Sequence, residues 1–261
     1  MDDGALPVPG AIADAERTAA MIRRLVDKID DIHLTVDSHH KMDISHPMWW
    51  VDEHGNRPEP LTGVVVEADA MWFFDYVKRS RTVRAHTRIL SMEKRTLAYL
   101  QALTAKQRYP HTIWPEHCLI GDPGHNLHPA VAEAVHHWEE KRIAMSDVVT
   151  KGSNPWTEHF SAVMAEVPDP EDPSTQLNRA FVDTVESADM VLWTGQALNF
   201  CLANTFRDTV NHFNDPSVVT KMVLLTDATS PVPGFDALTD SFMREMTQRG
   251  MRTSTTVDIL K

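Results

Sequence analysis

Cysteine is nearly absent from this chain, with Cys118 and Cys201 the two instances among 261 residues. So few sulfurs cannot build a disulfide framework, and in a reducing compartment both stand as free thiols. Positive charge is also in deficit: 25 Lys and Arg face 37 Asp and Glu, for a formal net charge of -12. That balance repels phosphate backbones, and no basic cluster is large enough to override it, so no nucleic-acid partner is expected. No apolar run approaches the roughly eighteen residues of a membrane span. The first thirty residues lack the basic start and apolar stretch of a signal peptide, so no membrane partner is expected and the expected location is cytoplasmic. Internal repeats and composition shifts are missing too, so one domain over residues 1–261 is expected, with a sizeable core. What is present is ordinary for a soluble globular protein, at 42% hydrophobic and 24% charged residues.

Periodicity supplies the architecture. In "AIADAERTAAMIRRLVDKI", residues 11 to 29, Ile12, Ala15, Ala19, Ile22, Leu25, Val26 and Ile29 share one face, which predicts an amphipathic helix. "DIHLTVDSHH" follows as a buried strand ending at Asp37. Downstream, "HPAVAEAVHHWEEK", "FCLANTFRDTVNHF" and "FDALTDSFMREMTQRG" read as helices, and "RIAMSDVVTK", "ADMVLWTG" and "KMVLLTD" as strands. Alternation of this kind, with strands that are almost wholly apolar, predicts an α/β fold: a parallel sheet with helices on both faces. Residues 40 to 110 break the rhythm with the turn-rich "HPMWWVDEHGNRPEPLTG" and a helical "ILSMEKRTLAYLQALTAKQ", and are read as an insertion over one edge of the site, a lid or an oligomer contact. "VPDPEDPSTQ", residues 167 to 176, is a second loop. One element is lacking: such domains usually open on an apolar strand, whereas "MDDGALPVPG" leads straight into a helix.

Polar residues at the carboxyl ends of parallel strands are the first place to look for a site. Asp37 and His39 lie two apart at a strand end, so their side chains can point the same way. His117 in "IWPEHC" offers a third ligand. Two imidazoles and a carboxylate leave coordination positions open for water or substrate, and zinc, iron and manganese all fit. The alternative for Asp37 and His39 is a solvated strand end. His40 and His46 are further ligand candidates, each read as a surface histidine before a ligand. Lys151, at a strand end before Gly152, reads on its own as a solvated lysine. Cys201 falls in the first helical turn after a strand and Gly195. Helix amides and the macrodipole there would favour a thiolate, drawing the thiol pKa down from about 8.5 toward neutrality, further still beside an ammonium. Core packing is the alternative. Trp49 and Trp50 pack over a substrate ring, or in a core or interface.

Six segments, "GALPVPGA", "TVDSHH", "WPEHCLIGDPGHNLHP", "VVTKGSNPWTEHFSA", "TGQALNFCLANT" and "VLLTDATSPVPG", occur in an order and at spacings that cover nearly the whole chain. In them the sequence resembles the nicotinamidase branch of the isochorismatase-like cysteine hydrolases. The resemblance implies a Rossmann-like three-layer fold. It implies Cys201 as the nucleophile that attacks a carboxamide carbon, releasing ammonia and leaving a thioester for water to open. Lys151 would lower the thiol pKa and balance charge, and Asp37, His39 and His117 would hold one divalent metal ion, zinc before iron or manganese. A cis peptide at Gln196-Ala197 would turn the backbone amides of Ala197 and Cys201 toward one point as an oxyanion hole. Cys118 would be structural. The implied reaction is nicotinamide to nicotinate and ammonia in NAD salvage, with nicotinamide as the small-molecule partner and a homo-oligomer as an option. Two alternatives are a hydrolase of another small amide and an inactive member that binds metal or a pyridine ligand.

The sequence departs from the family at its start. Members carry a catalytic aspartate at the end of their first strand, before the segment corresponding to "GALPVPGA", whereas three residues precede Gly4 here. The favoured expectation is that this strand and its aspartate are encoded upstream of Met1. A degenerate relative that keeps metal binding without turnover, and another carboxylate such as Asp2 or Asp3 taking the role, are the alternatives. Without that strand, two neighbouring strands are expected to lack a ladder partner, at about 1–3 kcal/mol for each unpaired buried group.

Overall fold

The computed structural model describes residues 1–52, 54–67, 70–75, 83–85, 90–106 and 108–261. In chain order its elements are α1 (Ala11–Arg24), β1 (His33–Asp37), β2 (Trp50–Asp52), β3 (Thr62–Glu67), β4 (Ala70–Asp75), β5 (Val83–Ala85), α2 (Leu90–Ala105) and β6 (His111–Ile113). They continue with α3 (Pro129–Arg142), β7 (Asp147–Lys151), α4 (Arg179–Ser187), β8 (Val191–Trp193), α5 (Ala203–Asn211), β9 (Met222–Leu225), α6 (Asp236–Arg249) and β10 (Arg252–Ser254). The predicted helix and strand alternation is therefore present. The polar β10 is an addition that apolar patterning did not reveal. None of the described helices is long and apolar enough to cross a membrane.

All the strands of the alternating part pair in parallel, as expected of strands joined by helices. They form two ladders, β1 with β7, and β8 and β10 on either side of β9. Among the described residues β1, β7, β8 and β10 each have one side without a ladder partner, and no ladder joins β1 to β8. Strand β9 shows how the layers are built. Val223 and Leu225 pack with α1 and α3 residues Ile22, Leu25, Val135 and Trp138. Met222 and Leu224 point the other way, into a core of Val185, Phe206, Phe242 and Met246 from α4, α5 and α6. The strand period of two thus sends alternate side chains into two helix layers, as the α/β reading predicted.

Helix α1 is shorter than its periodicity suggested. Leu25 leaves the helical conformation, its N–H capping the carbonyl of Met21, and a turn follows. Val26 and Ile29 still pack on the α1 and α3 core from that turn. Ala11, not Ile12, occupies the buried face, and the polar Asp14 and Thr18 are buried with it.

The insertion contains more regular structure than its turn residues suggested, although part of it lies outside the described residues. Strands β2 and β5 pair antiparallel, and β3 pairs antiparallel with both β4 and β6. Its core joins Ile44, Trp49, Trp50, Tyr99, Leu100 and Ile113. Trp49 and Trp50 are fully buried there, donating their indole N–H groups to Thr96 Oγ1 at 3.2 Å and to the Ile44 carbonyl at 2.8 Å. Of the readings offered for them, core packing is the one the structure supports.

Trp138 on α3 is fully buried between α1 and the sheet and donates its indole N–H to the Ile29 carbonyl at 3.0 Å. Truncation there removes both the packing and the bond. Trp138→Ala should cost about 3–5 kcal/mol of unfolding free energy, read from the urea midpoint.

Candidate functional site

The β1 and β7 register places Asp37 directly opposite Lys151 at the carboxyl ends of the two strands. The lysine is buried, 3% exposed. Its ammonium donates to Asp37 Oδ1 in a short contact, to the His159 carbonyl at 3.0 Å, and toward Cys201 Sγ at 3.6 Å. Cys201 Sγ in turn faces Asp37 Oδ2 at 3.9 Å. Burial opposes both charges, but each partner's charge outweighs it. Lys151 holds the Asp37 carboxyl well below the usual range, with His39 and His117 contributing, and Asp37 and then the Cys201 sulfur hold the Lys151 ammonium above its own.

The thiol behaves differently from the sequence expectation. Burial pushes the Cys201 pKa up to about 12; the Lys151 ammonium pulls it down, while the negative charges of Asp37 and Glu158 raise it. The expected lowering of the thiol toward neutrality is therefore corrected in direction: desolvation outweighs the Lys151 ammonium.

Local backbone displays that thiol. After β8, Gly195 takes a left-handed φ of 109°, the Gln196-Ala197 peptide is cis, and Leu198–Leu202 form one π-helical turn before α5. The Leu202 N–H reaches back to the Ala197 carbonyl at 3.1 Å, closing the wide turn that contains Cys201. The expected cis bond is present. Ala197 N–H has no hydrogen-bond acceptor among the described residues, which leaves it free for a ligand oxygen. Beside the sulfur lies an aromatic cluster of Trp114, Phe160, Phe200 and Phe235, with Trp114 and Phe200 ring centroids 4.8 Å apart.

On the other side of Asp37, one ligand atom each from Asp37, His39 and His117 lie within 4.8 Å of one another. His39 Nδ1 bonds the buried Asp43 carboxylate at 3.1 Å, which orients the ring and turns Nε2 toward Asp37 at 3.9 Å. Burial opposes charge on His39, but the Asp43 bond and then Asp37 raise its pKa to about 9. His117 Nδ1 donates to the Pro115 carbonyl at 2.8 Å, and burial followed by the positive His39 lowers its pKa to about 4. His40 is exposed as expected, but His46 is not the surface histidine expected of it. It is fully buried, its Nδ1 donating to the His40 carbonyl at 3.1 Å and its ring 5.3 Å from that of His117. The reason is the turn after β1, which folds His46 back under the His39 ring.

Gly152 completes this wall. Its φ is 84°, and a Cβ there would sit 3.1 Å from His39 Cε1, so the glycine admits both the turn and the imidazole. Asp2 does not reach the thiol: its carboxylate accepts the Gly10 and Ile12 N–H groups and caps α1, while Asp3 is exposed. Asp37 is the carboxylate that faces Cys201. Glu158, 4% exposed, is a further buried acid, raised by burial to about 8. Sequence reading missed Asp43 and Glu158. Asp43 stands four residues after His39, a spacing that could have flagged it, whereas nothing local marks Glu158. Cys118 is also kept neutral, burial raising it to about 11, and its carbonyl accepts the His39 N–H at 3.0 Å, in keeping with a structural role.

No protein-family model matches the sequence, and neither does any curated protein. Solved structures do share the fold. A nicotinamidase and pyrazinamidase of Acinetobacter baumanii is 18% identical, with 95% of this chain and 87% of that one covered at a TM-score of 0.57. The yeast nicotinamidase Pnc1p bound to the inhibitor nicotinaldehyde is 15% identical, covering 98% and 93% at 0.61. A Pyrococcus horikoshii pyrazinamidase in complex with zinc is 17% identical, covering 98% and 92% at 0.51. The chain thus has the fold of nicotinamidases and pyrazinamidases.

Two measurements follow from the wall and the buried ionisable groups. Gly152→Ala should displace His39 and weaken divalent-metal binding at least about tenfold in a zinc titration of the chelated protein. Stability should depend on pH with an optimum. Burial lowers His111 and His159 from 6.5 to about 4, so the stability they contribute is complete above pH 6.5 and lost as pH falls through 4. Glu158, raised from 4.5 to about 8, contributes stability that is complete below pH 4.5 and lost as pH rises through 8. Each proton changes the slope by about 1.4 kcal/mol per pH unit, and two imidazoles outweigh one carboxyl below pH 6.5. The urea midpoint of the metal-free protein should therefore rise from pH 4 to about 6.5 and decline toward pH 8.

Proposed function

We propose that this chain is a metal-dependent cysteine amidohydrolase that converts nicotinamide to nicotinate and ammonia, a reaction that serves NAD salvage. The observation that carries the reading is the contact of the Lys151 ammonium with Cys201 Sγ at 3.6 Å, directly beside the Asp37, His39 and His117 donor group. A shared fold with nicotinamidases and pyrazinamidases supports it, as does the aromatic cluster at the thiol, whose faces and edges suit a flat ring.

The donor group fits a divalent ion. One carboxylate and two imidazoles, each ring with Nδ1 already engaged and Nε2 free, are the ligand chemistry of zinc, with iron or manganese as alternatives. Held by Asp37, His39 and His117, such an ion supplies a Lewis acid for the pyridine nitrogen and for ordered water.

The chain's own groups account for the remainder. The Cys201 sulfur forms a bond to the carboxamide carbon, and the Ala197 and Cys201 backbone amides receive the charge that develops on the carbonyl oxygen. The C–N bond then breaks, nitrogen leaves as ammonia with the thiol proton, and a thioester remains. Water adds to that thioester, which releases nicotinate and restores the thiol. Burial holds the thiol's proton until attack; Asp37 Oδ2 faces the sulfur at 3.9 Å, and the Lys151 ammonium stabilises the sulfur as its charge grows.

A second reading, a binding protein for a pyridine ligand without turnover, is favoured by one observation. Asp37, the carboxylate in contact with the thiol, is also the carboxylate of the donor group. Ammonia release from nicotinamide by the zinc-loaded protein separates the two. Turnover is expected, with Cys201→Ser reducing kcat more than about 10³-fold and chelation abolishing it. Saturable nicotinamide binding without ammonia would instead select the second reading, and another small carboxamide turned over in its place would reassign the substrate.

A further inference from the structure

Helix α1 brings a buried carboxylate to the turn that precedes the nucleophile. Asp14 is 3% exposed and lies on the α1 face otherwise formed by Ala11, Ala15, Ala19 and Ile22. Packing alone asks for an apolar residue there, and a carboxylate removed from water is tolerated only when it is fully bonded. Asp14 has three donors. Arg17 Nη2 binds Oδ1 at 2.7 Å, while Oδ2 receives Gln196 Nε2 at 2.9 Å and Ser230 Oγ at 2.6 Å.

The last two bonds grip one turn from both sides. Gln196 immediately precedes Ala197. Ser230 acts on the residue that follows it, because its carbonyl accepts the Leu198 N–H at 3.0 Å. A single carboxylate oxygen therefore fixes residue 196 directly and residue 198 through one intermediary, with the unbonded Ala197 amide between them. Thr229 Oγ1 on the Gly195 carbonyl at 2.7 Å and Gly195 N–H on the Ala228 carbonyl at 2.9 Å hold the start of the same turn. Gly10 allows the approach, since a Cβ there would lie 3.0 Å from Ser230 Oγ.

We propose that Asp14 is a positioning residue that aims the Ala197 amide at the developing oxyanion. The assignment rests on the amidohydrolase reading for its catalytic effect, and on the hydrogen bonds alone for its hold on the turn. Asp14 touches neither substrate nor sulfur. It acts through Gln196 and Ser230, so its removal weakens stabilisation of the charged oxygen more than binding of the neutral amide.

The test compares wild type with Asp14→Ala, Asp14→Asn and Ser230→Ala in the zinc-loaded protein. The expected result for Asp14→Ala is a fall in kcat of about tenfold to a hundredfold with KM within about twofold, because misplacement of an oriented group by about 1 Å has that effect. Asp14→Asn keeps one oxygen for Gln196 or Ser230 and should recover part of the loss. Ser230→Ala removes one of the two grips, and remains informative where Asp14→Ala does not fold. Pyridine-3-carbaldehyde, which adds to a thiol and places an oxygen at the same point, should lose affinity by the same factor as kcat. Nicotinate affinity should not change. A uniform loss of nicotinate and aldehyde affinity would indicate a merely structural role and overturn the proposal. In the free protein, amide hydrogen exchange at Leu198 should accelerate at least about tenfold in Asp14→Ala, with Leu224 in β9 unchanged. Unchanged exchange at Leu198 also overturns the proposal. Should wild type show no turnover of any carboxamide, the amidohydrolase reading fails on its own, and exchange at Leu198 still decides whether Asp14 holds the turn.

Discussion

An ion pair with a buried lysine and a part-buried carboxylate organises this protein's candidate site: the Lys151 ammonium on Asp37. Two charges out of water are stable only with good geometry and with their remaining bonding capacity used. The parallel register of β1 and β7 supplies the geometry by setting the two residues opposite each other. The His159 carbonyl and the Cys201 sulfur occupy further positions around the ammonium. Asp37 is therefore a joint. One oxygen faces the lysine and the other faces the thiol, and the same carboxylate stands within reach of two imidazoles. The Cys201 sulfur and the Asp37, His39 and His117 group are electrostatically one unit, so a change on either side of Asp37 is felt on the other.

The donor side is ordered in advance. His39 is oriented by Asp43, which is itself held by the Ser45 N–H and hydroxyl. His117 is oriented by the Pro115 carbonyl and His46 by that of His40. In each ring Nδ1 is committed, and His46 Nε2 also meets His117 Nδ1 at 3.3 Å, so the orientation of the imidazoles is set by the fold. The Gly152 backbone, lacking a Cβ, closes the wall against His39.

How much of this is legible in the amino-acid string depends on whether a residue's role is set by its own segment. Asp37, Lys151 and Cys201 stand where strand and helix ends are visible in the pattern, and the structure brings all three together with His39 and His117. Residues whose role comes from a distant partner are not visible in that way. Asp14 bonds Gln196 across 182 positions, and helical periodicity registers it only as a polar interruption of an apolar face. His46 looks like a surface residue because its burial depends on the turn beneath His39. The thiol pKa fails for a related reason: the helix start is local and readable, whereas desolvation is a property of the assembled core, and it is the larger effect. Trp49 and Trp50 were open to several roles until the strands of the insertion supplied the core they fill.

The division of the parallel strands into two ladders has a mechanical consequence. Asp37 and Lys151 ride on one ladder, Ala197 and Cys201 follow a strand of the other, and among the described residues no backbone bonds stitch β1 to β8. A core shared by α1, α3 and β9 takes in Leu34 of β1 and Leu192 of β8, Thr18 of α1 bonds Thr194, and Ala162 N–H on Thr205 Oγ1 ties the segment after β7 to α5. The spacing between sulfur and ammonium is thus set by side-chain packing and single bonds across the seam, not by a continuous sheet. Slight slackening of those contacts would widen the gap between sulfur and ammonium while each ladder stayed whole, so the site is mechanically softer than either sheet.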